Sequence, residues 1–290
     1  MINDTAFQPL VQALYSNDWE KREQAVQALS EYQSTEAIEA LIELLREENP
    51  DVHTDATRAL IRIGKVALRQ LVVALRDANW RVRMGAARAL GQIGERRVVY
   101  SLIAALHDPD MQVRANAAQA LGEVRDKRAI EPLINTLHDP EILVQSRGAV
   151  SLGRIGDVRA VGPLIVALQS TKAPIRASAA IALSLMGDER AIQPLITALA
   201  DTDANVRSWA RGALVRIGPA AIDPLMRALR GAEWSTRAGA AWALGTLHDE
   251  IAVEPLRGAL NDPDTRVQSA ARIALDKIEQ HTREQQVSQD

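Results

Sequence analysis

The chain has no cysteine among its 290 residues, and aromatic side chains make up only 3% of it. Without cysteine there is no disulfide, no thiolate nucleophile, no iron–sulfur ligand and no thioether-linked cofactor. The scarcity of aromatic residues predicts a core built from aliphatic side chains. The net charge of −3 argues against a general affinity for nucleic-acid phosphates or for an anionic membrane surface.

Both ends of the chain also lack targeting features. The opening stretch, MINDTAFQPLVQAL, has no basic flank followed by an apolar run, and no segment is long and apolar enough to span a bilayer. We therefore expect a cytoplasmic protein without membrane contact. The closing stretch, EQHTREQQVSQD, is polar and unpatterned, which predicts one folded array over residues 1–278 and a disordered tail over residues 279–290.

A repeated motif fills nearly the whole sequence. The stretch PLINTLHDPEILVQSRGAVSLGRIGD, from Pro132, closely matches PLITALADTDANVRSWARGALVRIGP, from Pro194. The period of about 31 residues lies in the range of helical solenoids. The sequence therefore predicts an all-α fold, a right-handed α-solenoid of about nine helix pairs. One marker leucine identifies each unit: Leu14, Leu45, Leu75, Leu106, Leu137, Leu168, Leu199, Leu229 and Leu260.

Each unit is predicted to contain two helices joined by a short turn. The first helix often begins near a proline, which is tolerated in a first helical turn because its missing N–H has no partner there. An Asp-rich turn follows, and its carboxylates are suited to cap the second helix. Apolar residues 7, 11, 14, 15 and 18 positions after the marker leucine share one face of that helix. Glycines suited to a left-handed cap follow at Gly64, Gly94, Gly156, Gly187 and Gly218.

A column of basic residues lies eight positions after the marker leucine. Such a column resembles a basic stripe for nucleic acid. However, a cation and an acid at a fixed spacing in many units are better explained as a structural ladder that ties each turn to its own or the next repeat. Binding of nucleic acid is therefore not expected. The ladder includes the bases Arg83, Arg114, Arg176, Arg207 and Arg237 and the acids Asp77, Asp108 and Asp201.

All five tryptophans occupy positions that should point away from the core. Position thirteen after the marker leucine, for example, lies two residues from a core position on either side, about 200° around the helix. Such positions should face solvent along the second helices, which usually line the concave surface of a solenoid. We interpret Trp209 and Trp242 as partner-binding residues. The other three, Trp19, Trp80 and Trp234, either bind a partner or merely cover the turn between two helices.

Position thirteen also changes character along the chain, because it is polar in the first four units and apolar or glycine afterwards. Second helices of adjacent repeats lie roughly 8–10 Å apart, so these later side chains could join Trp209 in one apolar patch. Gly212 and Gly239 would leave room beside the tryptophans. Rotation between repeats could instead cover the column with neighbouring turns. The later column reads Val150, Ile181, Gly212, Trp242 and Ile273.

The corresponding face of the N-terminal half has a mixed character. Trp19, Trp80 and Met84 lie there among charged residues of both signs. This region is either ordinary solvated surface, which we favour, or a polar flank for the same partner.

The repeat resembles a known family. The pattern Pro-Leu-x-x-x-Leu-x-Asp-x-x-x-x-Val-Arg-x-x-Ala-Ala-x-Ala-Leu-Gly-x-Ile-Gly-Asp, well seen from Leu102 through Val124, is similar to the HEAT-like repeats of phycobilisome (bilin) lyases and their relatives. This resemblance covers nearly the whole chain and implies a HEAT-like superhelix. Most relatives of this kind look like interaction proteins. We therefore expect a non-catalytic scaffold, without a cofactor, that binds a protein or peptide on its concave side.

Two enzymatic alternatives follow from the resemblance. A bilin lyase or a phycobilisome-associated factor would hold a tetrapyrrole, or its carrier protein, in the aromatic groove. A metal oxygenase is the remote alternative, since deoxyhypusine hydroxylases share this architecture and use His-Glu pairs in symmetric repeats. The chain has instead His107-Asp108, His138-Asp139 and His248-Asp249, at or beside turns, so no metal site is expected. No catalytic constellation emerges, and a homo-oligomer is possible but not indicated.

Overall fold

A computed structural model describes residues 7–287, and in that range the chain consists of α-helices, turns and short 3-10 segments, with no strand. The helices form nine pairs, in which an odd-numbered first helix precedes an even-numbered second helix, so the predicted all-α solenoid is confirmed. In chain order the helices are α1 (Gln8–Ala13), α2 (Trp19–Leu29), α3 (Thr35–Leu44), α4 (Pro50–Ile63), α5 (Leu68–Ala74), α6 (Trp80–Ile93), α7 (Val99–Ala105), α8 (Met111–Val124), α9 (Ile130–Thr136), α10 (Ile142–Ile155), α11 (Val161–Ala167), α12 (Ala173–Met186), α13 (Ile192–Ala198), α14 (Ala204–Ile217), α15 (Ile222–Ala228), α16 (Trp234–Leu247), α17 (Val253–Ala259) and α18 (Thr265–Val287).

The chain divides into two compact units, Met1–Ser151 and Leu152–Asp290. In the first unit, second helix α6 packs against second helix α8. In the second unit, α12 packs against α14 and α16 packs against α18. Each unit therefore stacks its helix pairs through the second helices. That the two units continue as one array over residues 1–278 remains a prediction.

The marker leucines lie in the cores of both units. Eight of the nine are buried, and Leu260 is half-buried. Apart from Phe7, the buried apolar residues that the structure describes are aliphatic, as the composition predicts. In α8 the whole predicted core face is buried, namely Val113, Ala117, Ala120, Leu121 and Val124.

The second helices end in backbone conformations that favour glycine. All five predicted cap glycines have a positive φ, between 64° and 86°. Gly94 and Gly187 adopt the expected left-handed helical conformation. Gly64 and Gly218 instead combine the positive φ with a ψ of −132° and −144°, a region that is sterically open to little besides glycine.

Glycines also allow neighbouring second helices to approach closely. Four glycines that stand sixteen positions after a marker leucine face a small residue on the next second helix. A Cβ atom added to any of them would lie within 3.0 Å of a backbone atom of that neighbour, a distance that real Cβ contacts essentially never show. The pairs are Gly91–Ala120, Gly122–Ser151, Gly153–Ala182 and Gly245–Ala274, in which the added Cβ would lie 2.6, 2.8, 2.5 and 2.4 Å from the neighbour's Cα.

The last helix continues past the predicted end of the array. Residues 279–287 extend α18 to Val287, which differs from the disordered tail that the sequence predicts there; residues 288–290 lie outside the described residues. The His281 ring stacks on His248 with 4.6 Å between centroids, and Thr282 donates a hydrogen bond of 3.1 Å to Glu250. These contacts, together with the buried Ile278, supply a packed face that the polar composition does not reveal.

Alanine in place of Gly245 is expected to destabilise the protein, because its Cβ would overlap Ala274 on the neighbouring helix. We expect a loss of about 1–3 kcal/mol in the free energy of unfolding. The matched control is Gly212→Ala on α14, where an added Cβ meets nothing within 4 Å. There the loss of glycine flexibility should stabilise the helix by roughly 0.5–1 kcal/mol. Urea unfolding followed by circular dichroism measures both, and equal effects would contradict the close approach of the helices.

The His248–His281 stack is expected to make stability depend on pH. Burial, with a smaller contribution from the charges of His281 and Lys277 on α18, lowers the pKa of His248, and Glu284 partly opposes this. The folded protein therefore binds this proton less readily than the unfolded chain, whose histidine pKa is about 6.5. The stabilisation should be complete above that pH and should be lost as the pH falls through the lowered pKa of the folded state.

The comparison that isolates this effect is wild type against His248→Asn, since asparagine tolerates the left-handed backbone (φ 55°) at this position. The drop in unfolding free energy between about pH 7.5 and 5.5, which spans the ordinary histidine pKa, should be smaller in the variant. His53, whose pKa burial also lowers, is present in both proteins and cancels. Identical pH profiles would show that the stack does not titrate with folding.

Candidate functional site

The ladder arginines bind acids of the next repeat. In the first unit Arg83 and Arg114 each make two hydrogen bonds to one carboxylate, that of Asp108 and of Asp139 respectively, at 2.6–3.0 Å. In the second unit Arg237 binds Asp262 in the same way, at 2.6 and 2.9 Å. The shared geometry uses Nε and Nη2 for the carboxylate and leaves Nη1 for carbonyl groups of the arginine's own turn.

We call a ladder arginine that binds the acid of the next repeat a complete rung. The pair of Arg176 and Asp201 shows the electrostatics of such a rung. Nε and Nη2 of Arg176 each donate to the carboxylate at 2.6 Å, and Nη1 donates to the Ser170 carbonyl at 2.9 Å. The two side chains are only 14% and 9% exposed. The hydrogen bonds from Arg176 lower the pKa of Asp201, so the rung is fully charged at neutral pH.

Two members of the predicted ladder are placed differently. Asp77 binds Arg46 at 2.7 Å, because the ladder column of that repeat holds the buried His53 instead of an arginine. Arg207 donates through Nη1 to the carbonyls of Asp201 and Thr202, at 2.7 and 3.0 Å. Among the residues that the structure describes, no carboxylate binds Arg207, since Gly231 occupies the position at which the next repeat should supply one.

The tryptophans differ in their exposure. Trp19 and Trp209 are exposed, to 62% and 46%. The other three, Trp80, Trp234 and Trp242, are half-buried. None of the five is buried in a core, so the outward register predicted from the repeat agrees with their placement.

In the second unit, two of the tryptophans line one cavity of about 500 Å³ between α14, α16 and α18. Trp234, Trp242 and Ile273 form its apolar wall, and Arg207 and Arg211 on α14 form its basic wall. The small residues Ala204, Ser235, Ala238, Ser269 and Ala270 complete most of the remainder. Three residues predicted for partner binding, Trp234, Trp242 and Ile273, therefore line the same cavity as the ladder residue Arg207.

Basic side chains lie over both indoles of this cavity. The guanidinium carbon of Arg266 lies 3.3 Å from the ring centroid of Trp234. The Trp242 ring is contacted by Arg211 at 5.0 Å and by the Lys277 ammonium at 5.2 Å. Cation–π contacts of this kind contribute about 0.5–2 kcal/mol each, and they hold the two rings in place at the margin of the cavity.

The remaining predicted patch residues do not line this cavity. Trp209 projects from α14 outside it, and the half-buried Ile181 lies on α12, also outside it. Val150 belongs to the first unit, where it is half-buried. Gly212 does have open space beside it, as predicted. Gly239 does not leave free room, because an added Cβ would lie 3.0 Å from the Leu199 side chain.

In the first unit, the predicted residues Trp19, Trp80 and Met84 do not line the cavity that the structure describes there. Trp80 is covered by Arg81, whose guanidinium carbon lies 4.9 Å from the ring centroid, and Met84 is half-buried nearby in sequence on the same helix. That cavity, of about 760 Å³, lies along first helices α3 and α5. Asp77 is the one predicted residue among those lining it.

Arg211 lines the cavity, but the sequence analysis does not predict it as a site residue. It stands twelve positions after a marker leucine, outside both the ladder column and the tryptophan positions. Its Nε atom is buried and has no hydrogen-bond partner. Burial, and secondarily the charge of Arg207, lowers the pKa of Arg211. Two signals were available in the sequence: Arg211 replaces the second alanine of the repeat motif, and Gly231 replaces the acid of the next repeat.

Among residues 7–287, no group of three or more His, Asp or Glu side chains is arranged to hold a metal ion. Within the same range, none of the helices has both the length and the apolar character needed to cross a membrane.

Removing Arg176 should cost more stability than removing Arg207. Arg176→Ala leaves the nearly buried Asp201 carboxylate without its cation, which we expect to cost about 2–4 kcal/mol of unfolding free energy. Arg207→Ala removes only hydrogen bonds to turn carbonyls, worth about 1 kcal/mol. Thermal and urea unfolding of the two variants test this difference. A cost for Arg207→Ala equal to that for Arg176→Ala would mean that Arg207 has a carboxylate partner after all.

Comparisons with solved structures show proteins of the same architecture. A crystal structure of importin β is similar over 95% of this chain and 47% of that chain, with a TM-score of 0.70 and 18% identity. A Kap95:Nup1 complex aligns over 95% of this chain and 44% of that chain, with a TM-score of 0.66 and 15% identity. The Escherichia coli protein YibA aligns over 91% and 98%, with a TM-score of 0.61 and 21% identity. The chain spans just under half the length of importin β and Kap95, and at these identities the likeness concerns the fold alone.

Comparisons by sequence identify the repeat itself. A search of curated proteins finds no match. The PBS lyase HEAT-like repeat profile matches residues 206–231, the repeat that contains Arg207 and Arg211. The HEAT repeats profile matches residues 7–75, 68–141, 130–215 and 222–287. Since these matches cover most of the chain, the protein belongs to the HEAT repeat family.

Proposed function

We propose that the protein is a non-catalytic scaffold that binds a protein or peptide on the surface of its second helices. The observation that carries this proposal is Trp209, an indole that is 46% exposed on second helix α14. Because the ring is exposed, core packing does not explain why a large apolar side chain occupies this position. In helical solenoids, the second helices usually line the concave binding side.

The binding surface is centred on the second unit. Trp209 lies on α14, a helix that also lines the cavity walled by Trp234, Trp242 and Ile273. A tryptophan can bury about 150–250 Å², worth about 4–6 kcal/mol before the costs of association. Two such anchors would together contribute about 8–12 kcal/mol before these costs, and a micromolar complex requires about 8 kcal/mol after them. Ile181 is a further apolar member of this predicted surface. Val150 is an apolar candidate in the first unit, where Trp19, Trp80 and Met84 are weaker candidates.

The structural relatives support a protein partner in general terms. One is a complex of Kap95 with Nup1, and another concerns Kap95p binding to RanGDP. These are proteins of the same fold that hold other proteins. For this chain we accordingly infer a protein partner and no cofactor, and the expected cytoplasmic location remains a prediction.

A tetrapyrrole-holding factor is the alternative function. The match of residues 206–231 to a PBS lyase HEAT-like repeat favours it, but the residues of that repeat are mainly packing residues. Incubation with a bilin, followed by a scan for a shifted visible absorbance band, separates this alternative from a protein-binding scaffold.

The central test is the double variant Trp209→Ala/Trp242→Ala. We expect it to lose the partner that the wild type captures from cells in which the protein occurs, because two apolar anchors are removed. Trp209→Ala alone should leave the melting temperature nearly unchanged, since the ring is exposed. Trp242→Ala should lower it modestly, because the ring is half-buried and contacts Arg211 and Lys277.

The matched control is Val166→Ser, which removes an exposed apolar side chain (66% exposed) from first helix α11 of the same unit. It should retain the partner. Capture that is unchanged in the tryptophan variant, or equally lost in the control, would contradict a binding surface on the second helices.

A further inference from the structure

The cavity in the second unit has an excess of unneutralised positive charge. Arg207 uses only Nη1 for hydrogen bonds to its own turn. In the equivalent arginines of this unit, Arg176 and Arg237, Nε and Nη2 are both occupied by a carboxylate of the next repeat. Because Gly231 replaces that acid, the two donors of Arg207 are left to solvent or to a ligand.

Arg211 increases this excess one helical turn further along α14. Residues four apart share a helix face and lie about 5–6 Å apart at Cβ, so Arg207 and Arg211 present two like charges to the same space. The Nε atom of Arg211 is buried without a hydrogen-bond partner. Buried donors are nearly always paired in native proteins, so Arg211 stands in the cavity wall with an unsatisfied donor and an uncompensated charge.

The described lining of the cavity supplies no carboxylate to these arginines. It contains no Asp or Glu, and the third arginine there, Arg266, already binds Asp264 at 2.6 Å. The opposite wall is apolar, formed by the two indoles and Ile273. A ligand that satisfies both walls must therefore carry an anionic group beside an apolar one.

We propose that this cavity binds an acidic segment of a protein partner. One carboxylate accepts hydrogen bonds from Arg207 and Arg211, and a neighbouring apolar or aromatic side chain packs against Trp242 and Trp234. This inference rests on the proposed function and specifies the chemistry of the partner. A bidentate carboxylate is the ligand that the other arginines of the ladder column already bind, so the partner's acid completes the interrupted rung.

A short acidic segment suits the site better than a nucleic-acid strand. The cavity is limited to about 500 Å³, which admits one or two side chains. Asp203 and Glu233 stand at the N-terminal ends of α14 and α16 beside it, and Asp264 precedes α18. A continuous phosphate backbone would meet these acids on leaving the cavity, whereas a peptide presents its carboxylates at separate points.

The direct test titrates the protein with three capped peptides, Ac-EEFEE-NH2, Ac-QQFQQ-NH2 and Ac-EEGEE-NH2. The readout is the indole N–H resonances of Trp234 and Trp242, assigned from Trp→Phe variants. We expect saturable shifts of both signals with the first peptide. The second, which lacks charge, and the third, which lacks the ring, should each bind about ten-fold more weakly or worse. Affinity for the first peptide should also fall as salt is raised.

Gly231→Asp is the variant that tests the origin of the site. It restores the missing acid, since Asp201 and Asp262 occupy the same position in other repeats and bind the ladder arginine. An added Cβ at Gly231 would lie 3.1 Å from the Ala228 carbonyl oxygen, so a small local adjustment suffices. We expect the melting temperature to be unchanged or higher, and the affinity for Ac-EEFEE-NH2 to fall about ten-fold.

The matched control is Gly258→Asp, which adds the same charge on first helix α17, at a site where an added Cβ meets nothing within 4 Å. It should leave peptide binding unchanged, whereas Arg207→Ala and Arg211→Ala should both weaken it. Equal binding of the Glu and Gln peptides, or full binding by Gly231→Asp, overturns the inference. If that happens while Trp209→Ala/Trp242→Ala still loses its partner, the proposed scaffold function stands and only the acidic chemistry is wrong.

Discussion

At four crossings, second helices of neighbouring repeats approach so closely that one of the two helices must lack a side chain. Gly91, Gly122, Gly153 and Gly245 provide that absence, and the residues opposite them are alanine or serine. Van der Waals contact at this crossing fixes the rotation of each second helix about its axis. Because the rotation is fixed, the side chains thirteen positions after the marker leucines stay exposed or half-buried, and they are free of core packing. The surface chemistry of both units depends on this constraint.

The arginine ladder adds a second, directional constraint. Each complete rung places a guanidinium between the turn of its own repeat and an acid of the next, with little solvent exposure at either side chain. Packing alone would allow one repeat to shift slightly relative to the next, whereas a bidentate pair of hydrogen bonds does not. Where the rung is incomplete, at Arg207, the same arginine keeps its place through carbonyl groups. The interruption therefore leaves the fold intact and converts a structural cation into one available for binding.

Much of the architecture could be predicted from the sequence because the same residue pattern recurs in every repeat. The marker leucines, the cap glycines and the outward register of the tryptophans all follow from the periodicity, because nine copies of the pattern support each assignment. The candidate site was less accessible because it depends on departures from that period. Arg211 replaces the second alanine of the Val-Arg-x-x-Ala-Ala motif, and Gly239 looks like free space in the sequence although it packs against Leu199. The extension of α18 was hidden for a related reason, since its contacts come from His281 and Thr282 and not from an apolar stripe.

Oxidative footprinting of the indoles tests the account most directly. Brief exposure to hydroxyl radicals, with the oxidised tryptophans quantified by mass spectrometry, reports which rings solvent can reach in the free protein and in the complex with its captured partner. The account predicts that Trp209, Trp234 and Trp242 become protected in the complex, while Tyr100, 66% exposed on first helix α7, is oxidised as before. Protection of Tyr100 with continued oxidation of Trp209 and Trp242 would place the partner on the first helices and would contradict it.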